Sequence, residues 1–91
     1  MSRSTAQITL VNRRGLHARA SGAFVRTAMG FECVITVSAN DAAADGRSIM
    51  DLLMLGAAQG DALEITAEGV DAQACLQALL ALVADGFGER D

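Results

Sequence analysis

The sequence predicts an α+β fold in which three helices cover one face of a four-stranded, mainly antiparallel sheet. Three observations lead to it: the chain has 91 residues, 52% of them are hydrophobic, and its apolar positions switch between strand-like and helix-like spacing. A chain of this length has room for one hydrophobic core, so residues 1–91 are expected to form a single domain. Strands that alternate apolar and polar residues need one covered face, which the helices would supply.

Each element is predicted from a local pattern. Alternating or β-branched runs indicate the strands, apolar residues at helical spacing indicate the helices, and glycine, asparagine or aspartate mark the turns between them. The resulting order is βαββαβα. The predicted elements are a strand over residues 8–11, a helix over 18–29 closed by Gly30, a hairpin of residues 32–38 and 42–45 that turns at Asn40 and Asp41, a short helix capped by Ser48 and ended by Gly56, a strand over 62–68 and a long helix over 71–84.

Charge is unevenly distributed along the chain. Residues 1–31 carry five arginines and no acid, whereas residues 32–91 carry two arginines and eleven acids, which gives +5 against −9. The asymmetry suggests an anionic ligand or an acidic partner on one face, although scattered solvated charge is the commoner meaning. No lysine is available for a Schiff base or a P-loop, and three Phe without Trp or Tyr offer little for base stacking. Nucleic-acid binding is therefore not expected.

The cysteines and the N-terminus indicate the compartment. Cys33 and Cys75 lie in apolar segments and form no C-x-x-C pair, so two buried thiols in a reducing compartment are expected. No apolar stretch approaches the roughly 20 residues that span a bilayer, and no secretory h-region is present at the N-terminus. The sequence thus predicts a cytoplasmic protein without a membrane partner.

His17 is the only histidine, and its position is distinctive. It follows the Arg-Arg-Gly-Leu segment 13–16 and immediately precedes the first predicted helix, whose first turn holds Arg19. The free N–H groups of a helix start bind anions, and an arginine adds charge-assisted hydrogen bonds. The backbone of Ala18, Arg19 and Ala20 would then hold a phosphoryl group beside a nucleophilic histidine. The alternative is that His17 only caps the helix.

Other chemistry at this histidine has less support. A single histidine with no cysteine or acid at ligand spacing excludes a multi-histidine metal site, and no metal is predicted. Spacing does not exclude a Ser-His-Asp assembly, but nothing in the sequence resembles a nucleophile elbow. Hydrolysis is accordingly not the favoured interpretation of His17.

Two motifs, taken together, carry a family resemblance. The first is Gly15-Leu-His-Ala-Arg-Ala20 with Phe24-Val-Arg26 and Gly30-Phe31, and the second is Ser48-Ile-Met-Asp-Leu-Leu-Met-Leu55 with Gln59-Gly-Asp61. They resemble the HPr family of the bacterial phosphotransferase system, at that family's spacing, from about Ile8 to Gly86. The resemblance implies an HPr-like open-faced β-sandwich. The Leu-Leu-Met-Leu run and the Gly86-Phe87 tail look more like the nitrogen-related NPr branch.

The resemblance implies a phosphoryl carrier rather than an enzyme, with no cofactor and as a monomer. Enzyme I, charged from phosphoenolpyruvate, would phosphorylate Nδ1 of His17, and His17 would pass the group to an enzyme IIA protein in sugar transport or nitrogen-related regulation. Arg19 matches the arginine that neutralises the phosphoryl charge. Many family members have proline where Ala20 stands, so this chain regains a backbone N–H there.

The second motif implies regulation and docking. Ser48 matches the family's regulatory serine, which an HPr kinase/phosphorylase modifies in some bacteria; its structural alternative is a helix N-cap. A regulatory binding module, in which phosphorylation of His17 or Ser48 controls a partner kinase, transporter or regulator, is therefore the alternative function. The implied docking surface for Enzyme I and enzyme IIA consists of Ile49, Met50 and Leu53 with Arg19, Arg26 and Arg47 as its charged rim, while Leu52 and Leu55 are expected in the core.

Overall fold

A computed structural model describes residues 2–89, and its elements follow the predicted order. Seven helices and strands precede a short 3₁₀ turn at Gly86–Gly88. They are β1 (Ser2–Thr9), α1 (Ala18–Ala28), β2 (Val34–Ala39), β3 (Ala42–Asp45), α2 (Ile49–Met54), β4 (Ala62–Gly69) and α3 (Ala72–Ala84).

The four strands form one sheet in the order β1-β4-β2-β3, and every pairing is antiparallel. β4 is central and pairs with β1 along its full length, from Ser2 opposite Gly69 to Thr9 opposite Ala62. Alternate residues of β4 are buried, as expected for a strand with one covered face. The predicted α+β class and antiparallel sheet are confirmed.

The core lies between the covered face of the sheet and the helices. Phe24 of α1, Leu52 of α2 and Leu79 of α3 are fully buried. Leu55, which follows α2, is also buried, so the predicted core placement of Leu52 and Leu55 is confirmed. Cys33 and Cys75 are free and buried, as predicted. Burial, together with a hydrogen bond and charge interaction with Cys33, raises the pKa of the Cys75 thiol to about 12.

The predicted bounds of the first strand are wrong at both ends. β1 begins at Ser2 rather than Ile8, because β4 offers eight residues of pairing. It ends at Thr9, although Leu10 remains hydrogen-bonded to the turn that precedes β4: its N–H donates to the Asp61 carbonyl and its C=O accepts from the Gly60 N–H. The chain then leaves the sheet at the exposed Val11.

Two further boundaries differ around the second strand. Gly30 is not a left-handed capping glycine: α1 ends at Ala28, and the N–H of Gly30 donates to Thr27 in a tight final turn. Glu32 lies outside β2, because its N–H donates to the Asp71 carboxylate and its C=O accepts from the Asp71 N–H.

No helix within residues 2–89 is long and apolar enough to cross a bilayer.

The predicted hairpin between β2 and β3 is confirmed at its turn. Asn40 and Asp41 adopt φ angles of +52° and +63°, the left-handed pair that a two-residue hairpin requires. Asn40 Nδ2 also donates to the carbonyl of Leu55, so the hairpin is tied to the end of α2.

Candidate functional site

Two close backbone contacts with Ala57 hold the loop before α1 in place. Gly15 has φ +61°, and a Cβ at this position would lie 2.5 Å from the carbonyl oxygen of Ala57. The next residue, Leu16, donates its N–H to that same oxygen at 3.0 Å. The buried Asn12 closes the loop, since its Nδ2 donates to the Gly15 carbonyl at 2.8 Å. The loop that follows α2 therefore fixes the segment that leads into His17.

His17 occupies the N-cap position of α1, but its imidazole does not cap the helix. Its backbone is extended, and its C=O accepts from the N–H of Ser21 at 2.8 Å, which starts the helix. The side chain makes no capping hydrogen bond. Instead Nε2 pairs with the carboxylate oxygen Oε2 of Glu89, and 23% of the side chain remains exposed. The capping explanation therefore accounts for the backbone of His17 and leaves the imidazole without a capping role.

The first turn of α1 offers donors beside this imidazole. Within residues 2–89, no backbone carbonyl accepts from the N–H groups of Ala18, Arg19 or Ala20. Ala18 and Arg19 are exposed, whereas Ala20 is fully buried, so two of the three predicted donors lie on residues at the surface. The guanidinium of Arg19 has no carboxylate within ion-pair distance in the described part of the chain. Positive charge and free N–H groups thus meet at a helix start, where anions bind.

Sequence reasoning missed Glu89 and Asn12. The Glu89 side chain is only 9% exposed, and its Oε1 accepts from Asn12 Nδ2 at 3.0 Å while its Oε2 faces His17. Burial alone would raise the pKa of this carboxyl. Hydrogen bonds from Asn12 and His17, with the charges of His17 and Arg14, outweigh burial and lower the pKa of Glu89 below its usual value. No spacing in the sequence signals this contact across 72 positions.

The apolar side chains of α2 form an exposed strip beside α1. Met50 is 68% exposed and Met54 is 80% exposed, and Ile49 and Leu53 are also at the surface. Met54 is not among the predicted docking residues, although it is the most exposed of the four. We call these four residues the α2 surface.

Gly22 lies where α1 meets the α2 surface. A Cβ on Gly22 would lie 3.3 Å from Nη1 of Arg26 and 3.9 Å from Cδ1 of Ile49. Arg26 and Ile49 therefore both lie close to Gly22, and their role in docking stays a prediction. Arg47 is different, because it lines a groove of about 860 Å³ at the far end of α1, with Met29, Val34 and Val70.

Ser48 caps α2, as the sequence predicts, but the Asp51 side chain does not bond back to Ser48. Ser48 Oγ accepts from the N–H of Asp51 at 3.2 Å. The Asp51 carboxylate accepts from the N–H of Asp45 at 3.2 Å, while the N–H of Ser48 donates to the Asp45 carbonyl. The serine hydroxyl is therefore engaged as an acceptor and only partly exposed.

No group of three histidine, cysteine or acidic side chains suited to a metal ion occurs within residues 2–89. The site is instead a single imidazole at a helix start, backed by a carboxylate and flanked by an exposed apolar helix. These features define a class of small α+β protein with one partly exposed histidine at the start of a helix, beside an exposed apolar helix.

Comparison with known proteins agrees with this class. The PTS-HPr model, described as the PTS HPr component phosphorylation site, matches residues 4–85. Phosphocarrier protein HPr of Neisseria meningitidis is 43% identical over 82 residues, covering 90% of this chain and 92% of that protein. Phosphocarrier protein NPr of Shewanella violacea is 36% identical over 89 residues, covering 98% of each.

A solved structure gives the same result. The crystal structure of HPr-C-His from Thermoanaerobacter tengcongensis superposes with a TM-score of 0.92 at 35% identity, covering 97% of this chain and 99% of that one. The chain therefore belongs to the HPr family of phosphocarrier proteins of the phosphotransferase system.

Proposed function

We propose that His17 accepts a phosphoryl group from phosphorylated Enzyme I and passes it to an enzyme IIA protein. The observation that carries the proposal is the partly exposed imidazole of His17 at the start of α1, with Nδ1 unpaired within residues 2–89 and free N–H groups beside it. Phosphoryl transfer depends mainly on positioning and charge stabilisation, much of which the partner's site can supply. A carrier therefore needs little beyond an accessible nucleophile.

Arg19 and the α2 surface support transfer between proteins. The guanidinium of Arg19, exposed and without an ion-pair partner in the described residues, is available to neutralise phosphoryl charge. Met50, which is exposed on the α2 surface, offers the apolar centre of a transient interface, and arginines steer association. On this basis one partner docks on α2 while its phosphorylated group faces His17.

The direct test is phosphorylation by Enzyme I and phosphoenolpyruvate, followed by mass measurement and mapping of the adduct. We expect one acid-labile, base-stable phosphoryl group on the wild-type protein and none on His17→Ala. Ser48→Ala serves as the matched control and should be phosphorylated like wild type. Absence of the adduct with an Enzyme I that phosphorylates a known HPr would contradict the proposal.

The exposure of Met50 and Met54 also supports a second function, a regulatory binding module. In that case a partner kinase, transporter or regulator would bind the α2 surface, and phosphorylation of His17 or of Ser48 by an HPr kinase/phosphorylase would change its affinity. A pure binding module keeps partner affinity in His17→Ala and loses it in Met50→Glu, whereas a pure carrier loses function in His17→Ala. Binding measured by titration calorimetry with both variants distinguishes the two.

The branch of the family determines the acceptor. Both HPr and NPr proteins are among the relatives, and the Neisseria HPr has the higher identity of these two. Transfer from phosphorylated protein to a sugar-type and a nitrogen-type enzyme IIA, measured side by side, would assign the acceptor. A faster rate with the nitrogen-type acceptor is expected if the NPr-like tail reflects the branch.

A further inference from the structure

The segment after α3 returns to the start of α1. Three consecutive residues, Gly86, Phe87 and Gly88, have φ angles of +63°, +58° and +74°, and the tight turn they form reverses the chain. The turn packs on the loop before His17, since a Cβ on Gly86 would lie 3.6 Å from Cβ of Asn12. This turn brings Glu89 to the imidazole.

Both oxygens of the Glu89 carboxylate are engaged. Oε1 accepts from Asn12 Nδ2, and Oε2 pairs with Nε2 of His17. An ionised carboxylate has only acceptors, so the ring nitrogen that faces it must carry the hydrogen. With the lowered pKa of Glu89 the carboxylate is ionised near neutral pH, which places the hydrogen of the neutral ring on Nε2 and the lone pair on Nδ1.

The amide of Asn12 is fixed in the orientation that holds this carboxylate. Its Nδ2 donates to the Gly15 carbonyl at 2.8 Å and to Glu89 Oε1 at 3.0 Å, two groups that can only accept. Its Oδ1 is buried and has no partner within residues 2–89. A buried acceptor without a partner is destabilising, so the unpaired Oδ1 disfavours an amide at this position. The two hydrogen bonds that Nδ2 donates therefore explain why an amide is present here.

We propose that Glu89 is a positioning residue for phosphoryl acceptance, which holds His17 in the Nε2–H tautomer with Nδ1 directed outward as the nucleophile. The inference deepens the proposed function and rests on it. It assigns Glu89 a part in the reaction without contact to the phosphoryl group. Carboxylates orient catalytic imidazoles in the same way in hydrolases.

The step balances without moving a proton. The Nδ1 lone pair of His17 forms a bond to phosphorus as the bond from phosphorus to the phosphorylated donor breaks, and that electron pair leaves with the donor. The His17 ring, which keeps its hydrogen on Nε2, becomes positively charged, and the Glu89 carboxylate faces that charge. The incoming phosphoryl group occupies the opposite nitrogen, so the two anionic groups lie on different sides of the ring.

Replacement of Glu89 by glutamine gives a specific test, because Asn12 determines how the new amide is oriented. Asn12 Nδ2 requires an acceptor, so the glutamine oxygen faces Asn12 and its NH₂ faces His17. An NH₂ group needs an acceptor in turn, so Nε2 loses its hydrogen and the neutral ring adopts the Nδ1–H tautomer. The nucleophilic lone pair then points toward the introduced amide, away from the surface.

The tautomer is measured directly by ¹⁵N NMR of the histidine ring, in which protonated and bare nitrogens differ in shift and in coupling to the ring hydrogens. We expect Nε2–H in the wild type and Nδ1–H in Glu89→Gln. Glu64→Gln, at an exposed residue of β4, loses the same charge and should match wild type. Glu89→Ala removes the carboxylate without offering a donor and should give a mixture of tautomers.

The rate is measured with phosphoramidate, a small phosphoryl donor that requires no protein docking. We expect Glu89→Gln to slow phosphorylation of His17 by roughly 10–100-fold, by analogy with the loss of a partner that orients a metal-ligating imidazole, and Glu89→Ala to slow it less. Thermal unfolding of each variant establishes that it is folded. Three results would each overturn the inference: an Nδ1–H ring in the wild type, an unchanged tautomer in Glu89→Gln, or a rate within roughly twofold of wild type.

Failure of this inference is distinguishable from failure of the proposed function. If Enzyme I does not phosphorylate the wild type but the phosphoramidate rate still depends on Glu89, the carrier function fails and Glu89 remains a positioning residue. If Enzyme I phosphorylates wild type and Glu89→Gln at equal rates, with the tautomer unchanged, the carrier function stands and the role of Glu89 is refuted.

Discussion

The His17 site and the α2 surface lie side by side but are built in different ways. At His17, partly buried polar groups fix individual atoms: Glu89 holds one ring nitrogen and Asn12 holds Glu89. On α2, exposed and flexible side chains such as Met50 and Met54 extend from a six-residue helix. The difference teaches that a nucleophile needs defined geometry, whereas a surface that meets several partners benefits from adaptable contacts.

The largest effect is expected at Gly15, in the loop that holds the His17 site in a defined geometry. Gly15→Ala should cost about 3 kcal/mol of unfolding free energy, since it adds a clash with Ala57 to the cost of a left-handed alanine. Gly56→Ala is the matched control, because Gly56 has nearly the same φ, +62°, with no atom within 4 Å of its added Cβ. Gly56→Ala should cost about 1 kcal/mol, the penalty of a left-handed alanine alone. Equal losses in urea unfolding would contradict the close approach of Gly15 to Ala57.

The second prediction concerns the α2 surface, whose side chains are exposed. Met50→Glu should lower kcat/KM for phosphorylation by Enzyme I about tenfold, because a charge at the centre of an apolar contact must be desolvated. Its rate with phosphoramidate should be unchanged. Met29→Glu, at an exposed methionine in the groove at the far end of α1, is the control and should leave both rates unchanged. A similar loss in both variants would place the docking site elsewhere.

The third prediction concerns Ser48, which caps α2 and is also the proposed site of regulatory phosphorylation. Ser48→Ala should lower the unfolding free energy by about 1 kcal/mol through loss of the hydrogen bond from the Asp51 N–H. Ser48→Asp retains an acceptor at the N-cap and should restore most of that stability, as measured by thermal unfolding. If alanine and aspartate are equally stable, the cap contributes nothing.

The smallest expected effect is the pH dependence that Glu89 confers on stability. Its pKa is lower in the folded protein than the usual 4.5, so its contribution is present above that value and is lost as pH falls through the folded pKa. The difference in unfolding free energy between wild type and Glu89→Gln should therefore shrink below about pH 4.5. Glu64→Gln, measured in parallel, corrects for the general loss of one acid. A difference that stays constant down to about pH 3 would contradict a stabilised carboxylate.

Much of the fold was predictable from the sequence because its signals are local. The hairpin turn at Asn40 and Asp41, the cap at Ser48 and the alternation in β4 each depend on a few neighbouring residues. The full length of β1 was not predictable from the sequence. Its first six residues show little apolar alternation (Ser-Arg-Ser-Thr-Ala-Gln), and they form a strand only because they pair with β4. Tertiary pairing overrides weak local propensity at a sheet edge.

The site was only half predictable for the same reason. His17 and Arg19 stand close together in one motif, and their position at a helix start follows from local patterning. Glu89 reaches His17 only because α3 packs on the sheet and the turn after it reverses the chain. Asn12 directly follows the first predicted strand in the sequence, but its side-chain contact to Glu89 depends on that long-range return.

The turn at Gly86–Gly88 also has a practical consequence for anyone producing the protein. An affinity tag fused to the C-terminus would follow Glu89 by only two residues in the sequence, and Glu89 contacts the imidazole whose chemistry is to be measured. Ser2 starts an eight-residue strand that extends roughly 25 Å before reaching the His17 end of the sheet. Affinity tags are therefore better placed at the N-terminus. Rates measured with C-terminal fusions should be compared with those of the protein after the tag is cleaved.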